Sequence, residues 1–286
     1  MSTNIEASLR QERRRRWRDL LLAVFTPIML LVAWQAAAWT DVIDAQLYPP
    51  PSAVLARWAQ LVRSGELLEH LKATMGRLSI GYFLGALGGV VVGSAMGCRR
   101  SVAAALGPLF SALYALPKVA VLPLLLLIFG LTETPKILAV AITVFFVLQI
   151  NTLAGIRQID PRTLEAARAY RATGWRSVRF VLLPACLPAI FTGLRVAAGL
   201  GIAVVIAVEF VASNSGVGYL IWNSWQLFQP ERMYAGLLTA ALLGACITGV
   251  IAAVEFLAMP WRRAQGLSRK FVNPRANPVI DQDQRK

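Results

Sequence analysis

The sequence predicts an all-α protein, an integral membrane helix bundle of about six transmembrane helices. Of its 286 residues, 57% are hydrophobic and only 15% are charged, whereas a soluble domain carries about 25% charged residues. Six apolar segments are each long enough to cross a bilayer core, which takes about 20 residues of helix. Lipid is therefore the expected solvent for most of the chain.

The first predicted span covers residues 20–40 and follows a basic tail, residues 1–19, that carries the run Arg13-Arg14-Arg15-Arg16. A cleavable signal peptide is the alternative interpretation. Its apolar core would be only about 7–15 residues long, which is shorter than this segment. We therefore expect an uncleaved first span and a cytoplasmic tail. After this span, residues 48–62 predict an extended turn and an amphipathic helix on the outer membrane surface.

The second predicted span, residues 71–97, carries a glycine at every fourth position: Gly81, Gly85, Gly89, Gly93 and Gly97. Four residues return a helix almost to the same face, so these glycines form a strip where another helix can approach closely. A phosphate-binding loop is excluded, because no strand precedes the glycines and no GK[ST] follows them. The strip therefore predicts helix packing.

The third predicted span, residues 102–130, is long and contains Pro117 and Pro123. A proline frees backbone carbonyls, which a membrane tolerates only against neighbouring helices or a water-lined cavity. This span is therefore expected to be bent and packed inside the bundle. The remaining spans are predicted at residues 136–156, 187–211 and 233–259, within a membrane domain of residues 20–260 that is followed by a cytoplasmic tail, residues 261–286.

The distribution of lysine and arginine predicts the orientation. With the N-terminus inside, six basic residues fall in the N-terminal tail, two at Arg99-Arg100, six in the 157–186 loop and seven in the C-terminal tail, against five outside. Both termini are therefore expected in the cytoplasm of a multi-pass protein of the inner membrane. The same placement accounts for the net charge of +14, so nucleic acid is not an expected partner.

Ionisable residues inside spans are candidates for function, because charge is costly in hydrocarbon. Arg77 and Glu255 lie near span ends, where a long side chain can reach the interface. The candidates for a translocation path are Lys118, Arg195 and Glu209. For Glu209, structural hydrogen bonding is an equally good interpretation. No catalytic residue, metal site or cofactor is predicted, since His70 stands alone and the three cysteines are scattered.

The cytoplasmic loop at residues 157–186 is too polar to span. Asp160-Pro161 predicts a helix start, Gly174 a turn, and Pro184 the end of a second short helix. An exposed short helix with small residues is suited to docking into a groove of another protein. An amphipathic connector lying on the lipid headgroups is the alternative.

The residues of this loop stand in a particular order: Glu165-Ala166-Ala167-Arg168, then Ala172, Trp175, Val178 and Leu183-Pro184. In that order the loop resembles the EAA motif of ABC importer permeases. Other segments are similar to the nitrate/sulfonate/taurine branch of that family: Leu116-Pro117-Lys118, Leu122-Pro123-Leu124, Phe129-Gly130, Asn151-Thr152, Thr192-Gly193-Leu194-Arg195 and Gly216-Val217-Gly218-Tyr219. The resemblance covers residues 70–260.

The resemblance implies a MetI-like permease fold, usually a homodimer, with one ATP-binding subunit docked under each loop. It also implies that an extracytoplasmic solute-binding protein delivers the substrate. The residues that it assigns to coupling with the ATPase are Glu165, Ala166, Ala167, Arg168, Arg171, Ala172 and Gly174. The chain itself has no GxxxxGK[ST] loop to hold ATP phosphates, so energy must come from that partner.

One position departs from the family's motif, because Arg171 stands where the family has glycine. Glycine serves at a turn because it accepts a positive φ without penalty. Arg171 must therefore hold a strained conformation or remain helical, with the turn shifted to Gly174. We expect the shift.

The function expected from these residues is that of an ABC importer permease that carries a small anion, such as an aliphatic sulfonate, taurine or nitrate. A secondary carrier or channel without an ATPase is the alternative, and intramembrane acidic pairs or inverted repeats would favour it. A membrane enzyme is the third possibility, but no His, Asp, Glu or Ser cluster gathers at either membrane face.

Overall fold

The computed structural model describes residues 2–172 and 174–260, and these residues form helices and turns without a β-strand. The helices are α1 (Ser2–Trp39), α2 (Pro51–Arg63), α3 (Glu66–Cys98), α4 (Arg100–Ala115), α5 (Leu122–Phe129), α6 (Thr134–Arg157), α7 (Pro161–Ala169), α8 (Trp175–Ser177), α9 (Leu183–Ala212), α10 (Val217–Gln226) and α11 (Pro230–Ala258). The predicted cytoplasmic tail at residues 261–286 lies outside the described residues.

The predicted all-α membrane bundle is confirmed. In the described part of the chain, five helices are long and apolar enough to cross a membrane: the 21–39 segment of α1, α3, α6, α9 with the turn before it, and α11. The pair α4 and α5 supplies a sixth crossing if it is counted as one bent span. The chain is therefore a multi-pass membrane protein of five to six spans.

The third span is broken where its prolines predict a bend, but the expectation that it packs inside the bundle is wrong for α4, which has no buried residue. α4 ends at Ala115, and a 3₁₀ turn, Lys118–Val121, leads into α5 at an angle of 94°. Leu116 is extended, as expected for a residue that precedes proline. The break places the charged side chain of Lys118 at the corner between the two helical pieces.

The helix α6 lies at the centre of the bundle, between α3 and α9. Three of its side chains, Val140, Val144 and Leu148, are completely buried. By contrast, only 6% of the apolar window of α1 and 11% of that of α11 are buried. These two helices therefore turn most of their apolar surface outward, towards the lipid.

The five glycines of α3 face α6 along its length, and the two helices run parallel. A Cβ atom on Gly85 would lie 2.3 Å from the carbonyl oxygen of Ala141, and one on Gly89 would lie 2.6 Å from that of Phe145. Gly81, Gly93 and Gly97 meet α6 at similar distances, 2.6, 2.7 and 2.9 Å. Any side chain at these positions would push the two helices apart.

The bundle has two ends of different character. α7 and α8 lie at one end, with the end of α6 and the start of α9, and we name it the α7 end. α2 and α10 lie at the opposite end, beside the starts of α3 and α11, and we name it the α10 end. The sequence predicts α2, whose Trp58 indole donates to the Thr239 hydroxyl of α11 at 3.1 Å, but it does not predict α10.

Candidate functional site

The helix α7 projects from the bundle as the sequence predicts. It begins at Pro161 because the Asp160 carboxylate accepts the backbone N–H of Arg162 at 2.9 Å and so caps the first turn. Glu165 and Ala166 are exposed, whereas Ala167 is buried on the opposite side of the helix. Glu165 therefore stands on a free face that a partner can contact.

The expected shift of the turn to Gly174 is wrong. α7 ends at Ala169, and Arg171 itself is left-handed, with φ +55°. The N–H of Ala172 bonds to the carbonyl of Ala167 at 2.9 Å, which is the six-residue closure of a Schellman motif with Arg171 at C′. Gly174 is left-handed as well, with φ +56°. The motif's turn is thus kept at its own position, with arginine in the conformation that suits glycine.

The other predicted coupling residues follow this turn or lie in α7. Ala172 is half-buried and Gly174 is exposed. Arg168 belongs to α7, but its side chain lies outside the described residues. α8 and a π-helical turn, Val178–Leu182, then connect the loop directly to α9. The loop is therefore continuous with the start of a long membrane helix.

At the α10 end, a buried ion pair joins α3 to α9. The Arg77 guanidinium donates to Glu209 at 2.7 Å, and the side chains are 4% and 0% exposed. Thr74 lies 2.9 and 3.0 Å from the two oxygens of the same carboxylate. Arg77 lies near the end of its span, where its side chain could have extended to the membrane interface. The structure instead places it in a buried ion pair. The sequence allowed either a translocation-path role or a structural role for Glu209. This residue does not line the cleft described below.

Two glycines allow the α9–α10 connection to reach Glu209. The Gly218 N–H donates to its carboxylate at 2.8 Å, and the Val217 N–H donates to the Thr74 hydroxyl at 2.8 Å. A Cβ on Gly216, whose φ is +116°, would lie 2.3 Å from the Glu209 carboxyl carbon. A Cβ on Gly218 would lie 2.5 Å from the Ile206 carbonyl oxygen. Of the three N–H groups in this segment, that of Gly218 thus donates to the buried carboxylate, whereas those of Gly216 and Val217 donate to His70 and Thr74.

Arg77 also binds Glu133, which precedes α6. Its Nε and Nη2 both donate to that carboxylate, the second at 3.0 Å, and Lys136 adds a contact of 2.8 Å. The hydrogen bonds from Arg77, with a smaller contribution from Lys136, lower the pKa of Glu133 to about 2. We name Thr74, Arg77, Glu133, Lys136 and Glu209 the α10-end cluster.

The partners in this cluster are separated by up to 135 residues along the chain. Sequence reasoning singled out Arg77 and Glu209 separately, as ionisable residues within spans, but it did not join them. Glu133 and Thr74 carried no signal, because one lies in a predicted connection and the other is a single polar residue. The opposite charges of Arg77 and Glu209, each near the same predicted membrane face, were the usable clue.

The second charged candidate, Lys118, borders an apolar cleft of 610 Å³ between the bent span, α3 and α6. Its Nζ lies 4.4 Å from the ring centre of Tyr114 and 5.5 Å from that of Phe146. It also donates to the Tyr114 carbonyl. Of the three path candidates, Lys118 is the one that lines this cleft.

Arg195 forms an ion pair with Glu255 of α11, and its side chain is 49% exposed. His70 lies on α3, where its Nδ1 accepts the N–H of Gly216 at 3.1 Å. Among the described side chains, no group of three or more His, Cys, Asp or Glu residues is placed to hold a metal ion.

Similarity to known proteins extends over most of the chain. The family described as "Binding-protein-dependent transport system inner membrane component" matches residues 85–258. SsuC of Bacillus subtilis, named for the transport of aliphatic sulfonates, is 32% identical over 92% of this chain and 95% of its own length. The taurine transport system permease protein TauC of Escherichia coli is 29% identical, over 91% and 98% of the two chains.

The riboflavin transport system permease protein RibX of Chloroflexus aurantiacus is 33% identical, over 91% of this chain and 96% of its own length. These relatives are permease subunits and not enzymes. The matched region includes the bent span, α7 and the α9–α10 connection described above. The chain therefore belongs to the family of binding-protein-dependent inner membrane components and is the permease subunit of an ABC importer, which works with an ATPase and a solute-binding protein.

Proposed function

We propose that this permease carries a small sulfonate or a related anion, with taurine and nitrate as the other members of the class. Two relatives that cover nearly the whole chain are named for aliphatic sulfonates and for taurine. The cationic side chain of Lys118 beside the cleft supports an anionic substrate. Lys118 is therefore the proposed path residue, whereas the ion pairs of Arg195 and Glu209 favour a bracing role for those two.

We propose further that the segment 157–186 couples the permease to its ATPase. The single observation that carries this proposal is the exposed Glu165 on a capped helix that projects from the α7 end. When the two ATPases close on ATP, they would displace α7, and α9 would carry that displacement into the membrane. The domain limits that go with this proposal are residues 20–260 for the membrane domain and 1–19 and 261–286 for its tails.

Reversal of the charge of Glu165 tests the coupling proposal. Glu165→Lys should abolish both solute uptake and copurification of the ATPase subunit, while membrane insertion stays normal, because an exposed residue supports no core packing. Uptake by cells and the amount of ATPase bound to the affinity-purified permease measure the two effects.

Glu69→Lys is the matched control, since Glu69 is an exposed glutamate of α3 at the α10 end. This variant should bind the ATPase like the wild type. Normal uptake by Glu165→Lys, or equal loss of ATPase binding in both variants, would refute the assigned role of Glu165.

A homodimer with both termini in the cytoplasm completes the proposal. Each α7 would then receive one ATPase, and the α10 end would face the solute-binding protein. The excess of basic residues in the segments assigned to the inside supports this orientation.

A further inference from the structure

The cleft beside Lys118 has the form of a binding site for an amphiphilic anion. It encloses 610 Å³ at the corner of the bent span, where α4 turns into α5. Its walls are apolar, with Leu84 from α3, Phe110 from α4, Leu124 from α5 and Phe145 from α6, and Lys118 is the one charged residue that lines it. The cavity therefore offers a broad hydrophobic surface with a single positive charge at its edge.

The charge of Lys118 is not neutralised by an acidic neighbour. Among the side chains that the structure describes, no carboxylate lies within 4.0 Å of its Nζ. Its contacts are the Tyr114 carbonyl and the faces of the Tyr114 and Phe146 rings. An aromatic face stabilises a cation only weakly and leaves its charge in place. An ammonium group in this position attracts an anion.

We propose that this cleft is the substrate site within the membrane and that it selects an organic sulfonate with an apolar chain and no second charge. This inference rests on the proposed function, because it assumes that the permease carries anions. The sulfonate group binds the Lys118 ammonium through charge-assisted hydrogen bonds. The alkyl chain lies against the walls formed by Leu84, Phe110 and Phe145, where each buried CH₂ adds to the affinity.

The same geometry disfavours the other two members of the class. Taurine carries an ammonium group, which would enter an apolar cleft that holds no carboxylate among its lining residues. An unpaired charge in such surroundings is strongly unfavourable. Nitrate has no apolar part and would leave the hydrophobic walls without a contact. Pentanesulfonate, in contrast, uses both the cation and the walls.

Uptake by the complete transporter, with its ATPase and binding protein, tests the proposal. The probes are radiolabelled pentanesulfonate, methanesulfonate, taurine and nitrate. Lys118→Gln should lower the uptake of pentanesulfonate at least tenfold, as expected for the loss of a hydrogen bond to a charged group. Lys118→Arg should retain most of the uptake. Lys72→Gln, at an exposed position of α3, is the control and should behave like the wild type.

A second variant keeps Lys118 and changes only the cleft. Leu124 is 55% exposed, so Leu124→Trp should fold, and its larger side chain should fill the cleft. This variant should lose the uptake of pentanesulfonate and keep that of methanesulfonate. Copurification of the ATPase subunit should be unchanged in every variant.

Three results would overturn the proposal while the assignment as an ABC permease stands. In the first, Lys118→Gln retains ATPase binding and transports pentanesulfonate at the wild-type rate. In the second, the wild type transports taurine or nitrate but not pentanesulfonate. In the third, Leu124→Trp affects all sulfonates equally, which would indicate that lipid or a second copy of the chain occupies the cleft. Loss of ATPase copurification from the wild type would instead refute the proposed function.

Discussion

At the scale of single residues, Arg77 is the most connected side chain at the α10 end. It binds Glu209 on one side and Glu133 on the other, and it also donates to the backbone carbonyl of Ser215 at 2.7 Å. These contacts fix α3, the start of α6 and the α9–α10 connection to one another. Removal of one partner from a buried pair commonly costs about 3–5 kcal/mol, because the other charge is left buried and unpaired.

The exposed member of this cluster, Glu133, gives a dependence on pH. Its folded pKa of about 2 lies below the ordinary glutamate value of about 4.3. Its contribution to stability is therefore complete above the ordinary value and is lost as the pH falls towards 2. The difference in thermal midpoint between the wild type and Glu133→Gln should stay constant from pH 8 to 5.5 and shrink below about pH 4.3.

Thermal unfolding of the detergent-purified protein measures this difference. Glu69→Gln is the control, because Glu69 is exposed on α3, and its midpoint should follow the wild type at every pH. A Glu133→Gln midpoint equal to that of the wild type at neutral pH would show that the pair contributes nothing.

The left-handed Arg171 is the second residue with a measurable consequence. A non-glycine residue in this conformation costs about 1–2 kcal/mol, and replacement by glycine relieves that strain. Glycine also has more conformational freedom in the unfolded chain, which offsets about 0.5–1 kcal/mol of the relief. Arg171→Gly should therefore stabilise the end of α7 by up to about 1 kcal/mol. Hydrogen exchange of the α7 amides should slow accordingly.

Arg176→Gly is the matched control, because Arg176 is an exposed arginine of the same loop that lies in α8. Glycine in a helix is unfavourable, so Arg176→Gly should speed, and not slow, the hydrogen exchange of the loop amides. If both variants speed exchange in α7, the left-handed turn at Arg171 is not strained.

At the scale of the elements, α3 and α6 form one rigid unit. At Gly85 and Gly89 the backbone of α3 lies directly against backbone carbonyls of α6 and against the Cβ atoms of Val144 and Leu148. Close approach of this kind is how helices associate in a membrane, where lipid removes the hydrophobic driving force. The pair cannot slide or separate without the loss of contacts along its length.

Substitution within the glycine strip tests this rigidity. Gly89→Ala places a Cβ 2.6 Å from the Phe145 carbonyl oxygen, and overpacking of this kind typically costs about 1–3 kcal/mol. Gly76→Ala on the same helix meets nothing within 4 Å and should be neutral or slightly stabilising, because alanine favours helix. The thermal midpoints of the two purified variants should therefore differ clearly, and equal midpoints would contradict the packing.

At the scale of the whole molecule, the sequence was informative about elements and less so about contacts. The six spans, the bend at Pro117 and the start of α7 at Asp160-Pro161 were predicted, because they follow from apolar length and local proline chemistry. The sequence did not predict that the α10-end cluster forms, because its contacts depend on how helices that are distant in the chain pack together. The turn at Arg171 was misjudged, because glycine propensity favoured a turn at Gly174 alone, whereas the Ala167–Ala172 closure makes Arg171 left-handed in addition to Gly174.

The orientation of the whole chain is open to a direct test. After replacement of the native cysteines, Glu69→Cys should react with a membrane-impermeant thiol reagent in intact cells. Tyr170→Cys, at a position that is 89% exposed beside α7, should react only after the membrane is permeabilised. Labelling in the reverse order would place both termini outside and would remove any access of the ATPase to α7.

The uninterrupted course of α9 has a mechanical consequence. This helix begins at Leu183, next to the π-helical turn, and reaches Glu209 within its 30 residues, a length of about 45 Å. Such a rod transmits force along its axis, so a push near the ATPase would arrive at the α10-end cluster on the far side of the bilayer. Each cycle of the ATPase would then load the Arg77–Glu209 contact at the α10 end, although the two sites lie at opposite ends of the same helix.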